Sequence, residues 1–268
     1  MSSAIEQTPV SPKDRRQFPS DAAIAFLWLK NEIVAWIKEP AAVLLNMAYP
    51  LLMLVFLFVI GGDAVRKNAD IATPAVALLA LTGVLMVGIN LPANGINGVR
   101  QGDYYYYLRT LPTGVGTRLI AWSGAPFLLA VTSALVGLGV GVMFSSARYT
   151  LTQLGLLFLV FCAFALCTTA IGVAFGFLLS SRTSLAVSLG VSFILLLLSG
   201  AREMASVPTF LDMTAKLLPS TAATELCQSI LTDVDTNGWW VASLAIWVAL
   251  ALLLAVVSIR RDENSKFS

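Results

Sequence analysis

The sequence predicts an all-α polytopic membrane protein with six transmembrane helices, and three observations lead there. Hydrophobic residues make up 57% of the 268 residues and charged ones only 12%. Mean hydropathy is +0.82, more apolar surface than a soluble core can bury, so the excess must face lipid. Six apolar runs, at about 41–61, 71–95, 118–145, 151–179, 184–200 and 239–259, approach or exceed the roughly 17–25 residues of one crossing. None carries Asp, Glu, Lys or Arg in its interior. Leu, Val, Ala and Gly dominate them, whereas barrel strands would alternate polar and apolar residues.

An even number of spans puts both termini on one side. Twelve of the 17 Lys and Arg residues fall there; Arg66, Lys67, Arg148, Arg202 and Lys216 fall on the other. The positive-inside rule therefore predicts cytoplasmic termini. The first residues are polar, so no cleavable signal is expected, and 1–19 read as a flexible cytoplasmic tail. Residues 41–259 then form the transmembrane domain and 260–268 a second cytoplasmic tail.

Residues 20–40 precede the first span. Phe26, Leu29, Ile33 and Ile37 recur at helical spacing while Lys30, Asn31 and Lys38 gather elsewhere, and Trp28 and Trp36 suit the headgroup level. This predicts an N-terminal interfacial amphipathic helix, with Pro40 turning the chain into the membrane; the alternative is an extension of the first span. Between the fifth and sixth spans, 201–238 mix apolar and polar residues without reaching span length. Two short re-entrant exterior helices are expected, separated at Pro219. At its end, Asp233, Asp235, Asn237 and Gly238 match half a calcium loop. The twelfth position is Leu244 rather than glutamate, so a turn opening the last helix is the better account.

The stretch QGDYYYYLRTLPTG joins spans two and three. Gly102 and Asp103 signal a helix start and Pro112 and Gly114 a stop, leaving room for about eight helical residues. Tyr104, Tyr105, Tyr106 and Tyr107 would point in four directions around such a helix, with Asp103 and Arg109 toward the cytoplasm. An aromatic belt in the headgroup region is one reading. A belt needs no proline-terminated hairpin with paired opposite charges, so a docking helix is favoured, tyrosine being a rigid, amphipathic contact residue.

No chemistry of its own is expected of the chain. Histidine is absent, which removes the usual general base and the commonest metal ligand. The three cysteines form no metal set or disulfide framework: Cys162 and Cys167 read as apolar packing, and the role of Cys227 is open. There is no P-loop. The glycines of GLGVG, 137–141, and GVAFG, 172–176, lie within spans and read as close helix packing. An ion-coupled carrier would need intramembrane charge, and a net charge of +2 gives no reason to expect nucleic acid. At membrane depth, Asn90, Asn94 and Asn97 share a face of the second span, and Ser188, Ser192 and Ser199 a face of the fifth. Each stripe either lines a path or hydrogen-bonds to a neighbouring helix. Pro50 and Pro126 should loosen the first and third spans.

These pieces, in this order, resemble the permease subunits of type-2 ATP-binding-cassette (ABC) exporters over about residues 21–259. WLKNEIVAWIKEPAAVLLNMAYPLLMLVFLFVIGG resembles that family's interfacial helix running into its first span. NGVRQGDYYYYLRTLPTG is similar to the loop where a short helix meets a proline turn, here Leu108 to Pro112. VPTFLDMTAKLLPSTAATELCQSIL resembles the exterior segment before the last span. At Tyr104–Tyr107 the chain departs from the acidic helix of many members. The resemblance implies a cytoplasmic coupling helix between spans two and three that seats in a separate ABC ATPase, with Gly102, Asp103, Tyr104–Tyr107, Arg109, Leu111 and Pro112 as contacts. It also implies ATP and magnesium on that partner and no cofactor on this chain. A second permease copy or a related chain would complete a dimer in a bacterial inner membrane. Spans two and five would face the dimer axis, making the asparagine and serine stripes candidates for the path. The implied activity is export of an amphiphilic, drug- or lipid-like substrate. The alternatives are a polysaccharide or glycolipid-precursor exporter, or a non-transporting scaffold that recruits a soluble partner.

Overall fold

A computed structural model of the chain describes residues 20–38, 48, 51–52, 54–55, 58–59, 61–110, 113–201, 209–232 and 237–264. Among these every regular element is a helix. They are α1 (Asp21–Lys38), α2 (Gly62–Lys67), α3 (Ala69–Arg100), α4 (Asp103–Thr110), α5 (Val115–Phe144), α6 (Leu151–Leu178), α7 (Ser181–Ala201), α8 (Thr209–Lys216), α9 (Pro219–Thr232) and α10 (Gly238–Asn264).

Five of them, α3, α5, α6, α7 and α10, are long and apolar enough to cross a membrane. They coincide with the second to sixth predicted spans. The first, 41–61, lies largely outside the described residues, as do Pro40 and Pro50; of that run Leu54 and Phe58 are packed into the core of the bundle. The tail 1–19 also lies outside. At the other end the helix continues through residues 260–264, which the sequence assigns to a tail. The reason is that Asp262 and Glu263 find basic partners on other helices.

Local signals explain where the long helices begin. Asn68 caps α3, its Oδ1 accepting from the Asp70 backbone N–H at 3.0 Å. Thr150 and Gln153 form a reciprocal capping box at the start of α6. With 32 residues, α3 is about 48 Å long, well beyond the roughly 30 Å of a hydrocarbon core. It therefore reaches past the apolar layer and carries its terminal Arg100 into polar surroundings. α5 runs unbroken through Pro126.

The long helices α3 and α6 form the centre. Of the most apolar stretch of each, 67% and 61% is buried, against 22% for α7 at the periphery. Lipid is as apolar as leucine, so helix association here depends on close packing rather than on hydrophobic burial. Small residues permit it. A Cβ on Gly172 of α6 would stand 2.5 Å from the Ile89 carbonyl oxygen, and one on Gly176 would stand 2.8 Å from Ile96 Cβ. Gly88 of α3 meets Thr168 in the same way, and Gly141 of α5 meets Val76. The packing expected of the two glycine motifs is thus present at 172, 176 and 141.

Two short helices, α8 and α9, lie between α7 and α10, with Pro219 opening the second. Pro219, Ala222, Ala223, Leu226 and Cys227 of α9 are buried, wedged beside α3, α6, α7 and α10. Cys227 is accordingly a core residue, as is Cys167. Asp233 and Asp235 lie outside the described residues. Asn237 Oδ1 accepts from the Trp239 N–H at 3.1 Å, so this residue opens α10 as the turn reading expects.

Candidate functional site

The tyrosine helix α4 follows α3 after a two-residue turn and spans the eight residues that its glycine and proline signals delimit. Four successive tyrosines cannot share one face of a helix, and the fold separates them. Tyr105 is 4% exposed and Leu108 is buried with it, whereas Tyr106 is 59% exposed. Gly102 and Asp103 are exposed as well. For Tyr104, Tyr107 and Arg109 only the helix backbone is described, and Leu111 and Pro112 lie outside the described residues. Tyr105 therefore departs from its expected place on the docking face. Its position three residues before Leu108 puts both on the side that α4 turns toward the bundle.

The Tyr105 hydroxyl donates to Oδ2 of Asp262, near the end of α10. Oδ1 of the same carboxylate receives Arg100 Nη2 at 2.7 Å, from the last turn of α3. Arg100 Nη1 donates to the carbonyls of Gly176 and Phe177 at 2.9 and 3.0 Å. A cation there satisfies acceptors left open at the end of α6 and complements that helix's negative terminus. The guanidinium also lies 5.7 Å from the Phe177 ring centroid. Beside it, Arg118 of α5 pairs with Glu263 at 2.9 Å and donates through Nε to Thr113 at 3.0 Å. Four long helices and the tyrosine helix thus meet at one charged knot.

Sequence reading places Arg100, Arg118 and Asp262 only as charges flanking spans. The available signal was the position of RRDEN at the end of the last span, on the same side of the membrane as Arg100. What pairs with what needs the packed helices.

At membrane depth the two polar stripes meet. Asn90 Nδ2 donates to Ser192 Oγ at 3.2 Å and to the Met86 carbonyl at 2.9 Å. One turn toward the charged knot, Ser184 Oγ donates to the Ala93 carbonyl at 3.1 Å. Ser188 and Ser192 are fully buried and bond to carbonyls of their own helix. Asn94 and Asn97 likewise donate to the carbonyls of Asn90 and Ala93. Among the described residues, the stripe bond from Asn90 to Ser192 joins the two helices, and the others close on their own helix. Asn90 Oδ1 is buried without a hydrogen-bond partner among the described residues. Ser199 stands apart, lining a cavity of about 90 Å³ with Thr82, Ser220 and Thr224 near the opposite end of the bundle.

Helix α1 lies along α5. Its contact face is Ala25, Trp28 and Leu29: Trp28 and Trp122 have ring centroids 5.8 Å apart, and a Cβ on Gly124 would be 3.1 Å from Leu29 Cδ1. Of the apolar stripe, Leu29 meets the bundle, whereas Phe26 is 65% exposed.

Among the described residues no group of His, Cys, Asp and Glu could hold a metal ion. A bundle with five helices long and apolar enough to cross a membrane defines a class, the polytopic integral membrane proteins. The family follows from comparison: the model of the ABC-2 family transporter proteins matches residues 107–257, more than half of the chain, and the chain belongs to that family. It is the membrane-spanning permease of an ABC transporter, and membership implies association with an ABC ATPase. No curated protein matches the chain significantly.

Proposed function

We propose that this permease exports an amphiphile, drug- or lipid-like, and that α4 is the coupling helix on which a separate ATPase docks. ATP and magnesium belong to that partner. The observation that carries the reading is the two-sidedness of α4. One side, through Tyr105, is anchored to the ends of α3 and α10, while the other presents Tyr106 and Asp103 outward. A rigid element with one face held by levers and the other exposed is what a transmitted push requires. Closure of the ATPase pair would move α4, and the Arg100–Asp262 knot would carry that movement into α3, α6 and α10 together.

Two permeases would form the path, with both termini in the cytoplasm of a bacterial inner membrane. The Asn90–Ser192 contact supports a path of neutral amides and hydroxyls, suited to an amphiphile more than to a heavily hydrated glycan. If it lies beside the path, the unpartnered Oδ1 of Asn90 is the acceptor a passing substrate would meet.

The test is co-purification with the cognate ATPase. Arg109→Glu and Tyr106→Ala should each weaken association and the permease-dependent stimulation of ATP hydrolysis, Arg109→Glu by about tenfold or more, for the loss of a charged interface contact. Both should leave thermal unfolding unchanged. Association equal to wild type in both variants would remove α4 as the docking element.

A further inference from the structure

At the tyrosine-helix end of the bundle, a cavity of about 290 Å³ lies between α1, α3, α4 and α5. Much of its wall is apolar, including Leu91, Pro92, Ile96 and Pro126. Two polar side chains, Asn31 and Glu32, enter it from α1. Trp28, one turn before Glu32, lies on the same face of that helix. Trp122 stands beside it, the two indole planes inclined at 54°.

Glu32 makes no ion pair or hydrogen bond among the described residues. Two arginines at this end of the bundle are engaged elsewhere, Arg100 with Asp262 at 2.7 Å and Arg118 with Glu263 at 2.9 Å. Burial pushes the Glu32 carboxyl above its ordinary value, as expected of a partly desolvated acid without a counter-charge. A lone carboxylate beside two indole rings selects strongly for one kind of guest. An anion is repelled, and a small inorganic cation would need several oxygen ligands. An organic ammonium satisfies the charge, presents its methyl or methylene groups to apolar walls, and gains from the aromatic faces. The volume sits at the lower limit of about 300–1,000 Å³ for small-molecule sites. It suits a headgroup and the first part of a chain rather than a whole drug-sized body.

We propose that this cavity binds the ammonium head of an amphiphile, with Glu32 as its counter-ion and Trp28 and Trp122 as its aromatic walls. Two sources carry that group: a bilayer lipid with an ethanolamine or choline head, and a free cationic amphiphile. The inference deepens the export reading and rests on it only for the link to transport, because binding is measured without the ATPase.

The full chain is placed in phosphatidylglycerol nanodiscs and titrated with octyltrimethylammonium below its micelle concentration, following tryptophan fluorescence, with octanol as the uncharged comparator. Wild type should show saturable binding of the cation. Glu32→Gln should weaken it by about tenfold or more, as loss of a charge partner in a partly desolvated site implies. Trp28→Leu should weaken it by about threefold, the lower range of a cation–π contact. Glu32→Gln should alter neither octanol binding nor the unfolding temperature. Replacing part of the phosphatidylglycerol by phosphatidylethanolamine separates the sources: competition assigns the site to the lipid head, and its absence to a free amphiphile. Equal cation affinity in wild type and Glu32→Gln, or octanol binding as tightly as the cation, would overturn the proposal and leave an apolar packing gap. Glu32-dependent binding that never alters ATPase activity in the reconstituted complex would keep the site and sink the export reading instead.

Discussion

The helix α3 is held at its two ends by different chemistry. At the Arg100 end the contacts are ionic and converge on one carboxylate, Asp262, which serves both Arg100 and Tyr105. At the Asn68 end they are neutral and dispersed. The Tyr149 hydroxyl donates to the Thr73 carbonyl at 2.7 Å and the Arg148 N–H to Thr73 Oγ1 at 3.2 Å. Burial keeps the Tyr149 hydroxyl protonated well beyond the usual tyrosine range, so this bond keeps its donor. A dispersed set of neutral bonds fails gradually. A shared carboxylate fails at once, because its loss strands a partly buried guanidinium. A buried pair adds little net stability over an apolar substitute but fixes geometry strictly. The contrast suits one end to transmit force and the other to serve as a stationary footing.

The sharpest way to break this contrast is Asp262→Ala. It should cost about 3 kcal/mol, the lower end of the penalty for stranding one partner of a buried pair, since the Arg100 side chain keeps 21% exposure. Denaturant unfolding of the permease in nanodiscs measures it, and a loss below that of the neutral-end variant would erase the distinction. Between the ends, Gly172→Ala should cost about 1–3 kcal/mol, because the new methyl meets the backbone carbonyl of Ile89 and the ring of Pro92, neither of which is a flexible side-chain tip. At the neutral end, Tyr149→Phe should cost about 1 kcal/mol by the same assay, the net worth of one hydrogen bond. The exposed Lys67–Asp63 pair sets the floor: Lys67→Ala should leave the unfolding curve unchanged, both side chains being about three-quarters exposed.

How much of this was legible in the sequence follows from which features are one-dimensional. Span positions are: an apolar run free of charge locates itself, so α3, α5, α6, α7 and α10 fall within a few residues of their predicted ranges. The length of α4 is also local, since Gly102 and Pro112 bound it. Which tyrosine turns inward is not, because four identical residues in a row carry no periodic signal. The asparagine and serine stripes could each be read by spacing, yet that they face one another at Asn90 and Ser192 depends on how α3 and α7 are rotated. The knot was the least legible part. Arg100 and Asp262 are separated by more than half the chain, and each alone looks like an ordinary residue at the membrane boundary.

That separation bears on biogenesis. During synthesis the tyrosine helix emerges long before Asp262, so until α10 has been inserted the Tyr105 hydroxyl lacks its Asp262 acceptor and Arg100 its carboxylate. The hairpin between α3 and α5 is therefore seated late, by a residue of the final transmembrane helix, and Asp262 acts as a latch that closes only after that helix is in place.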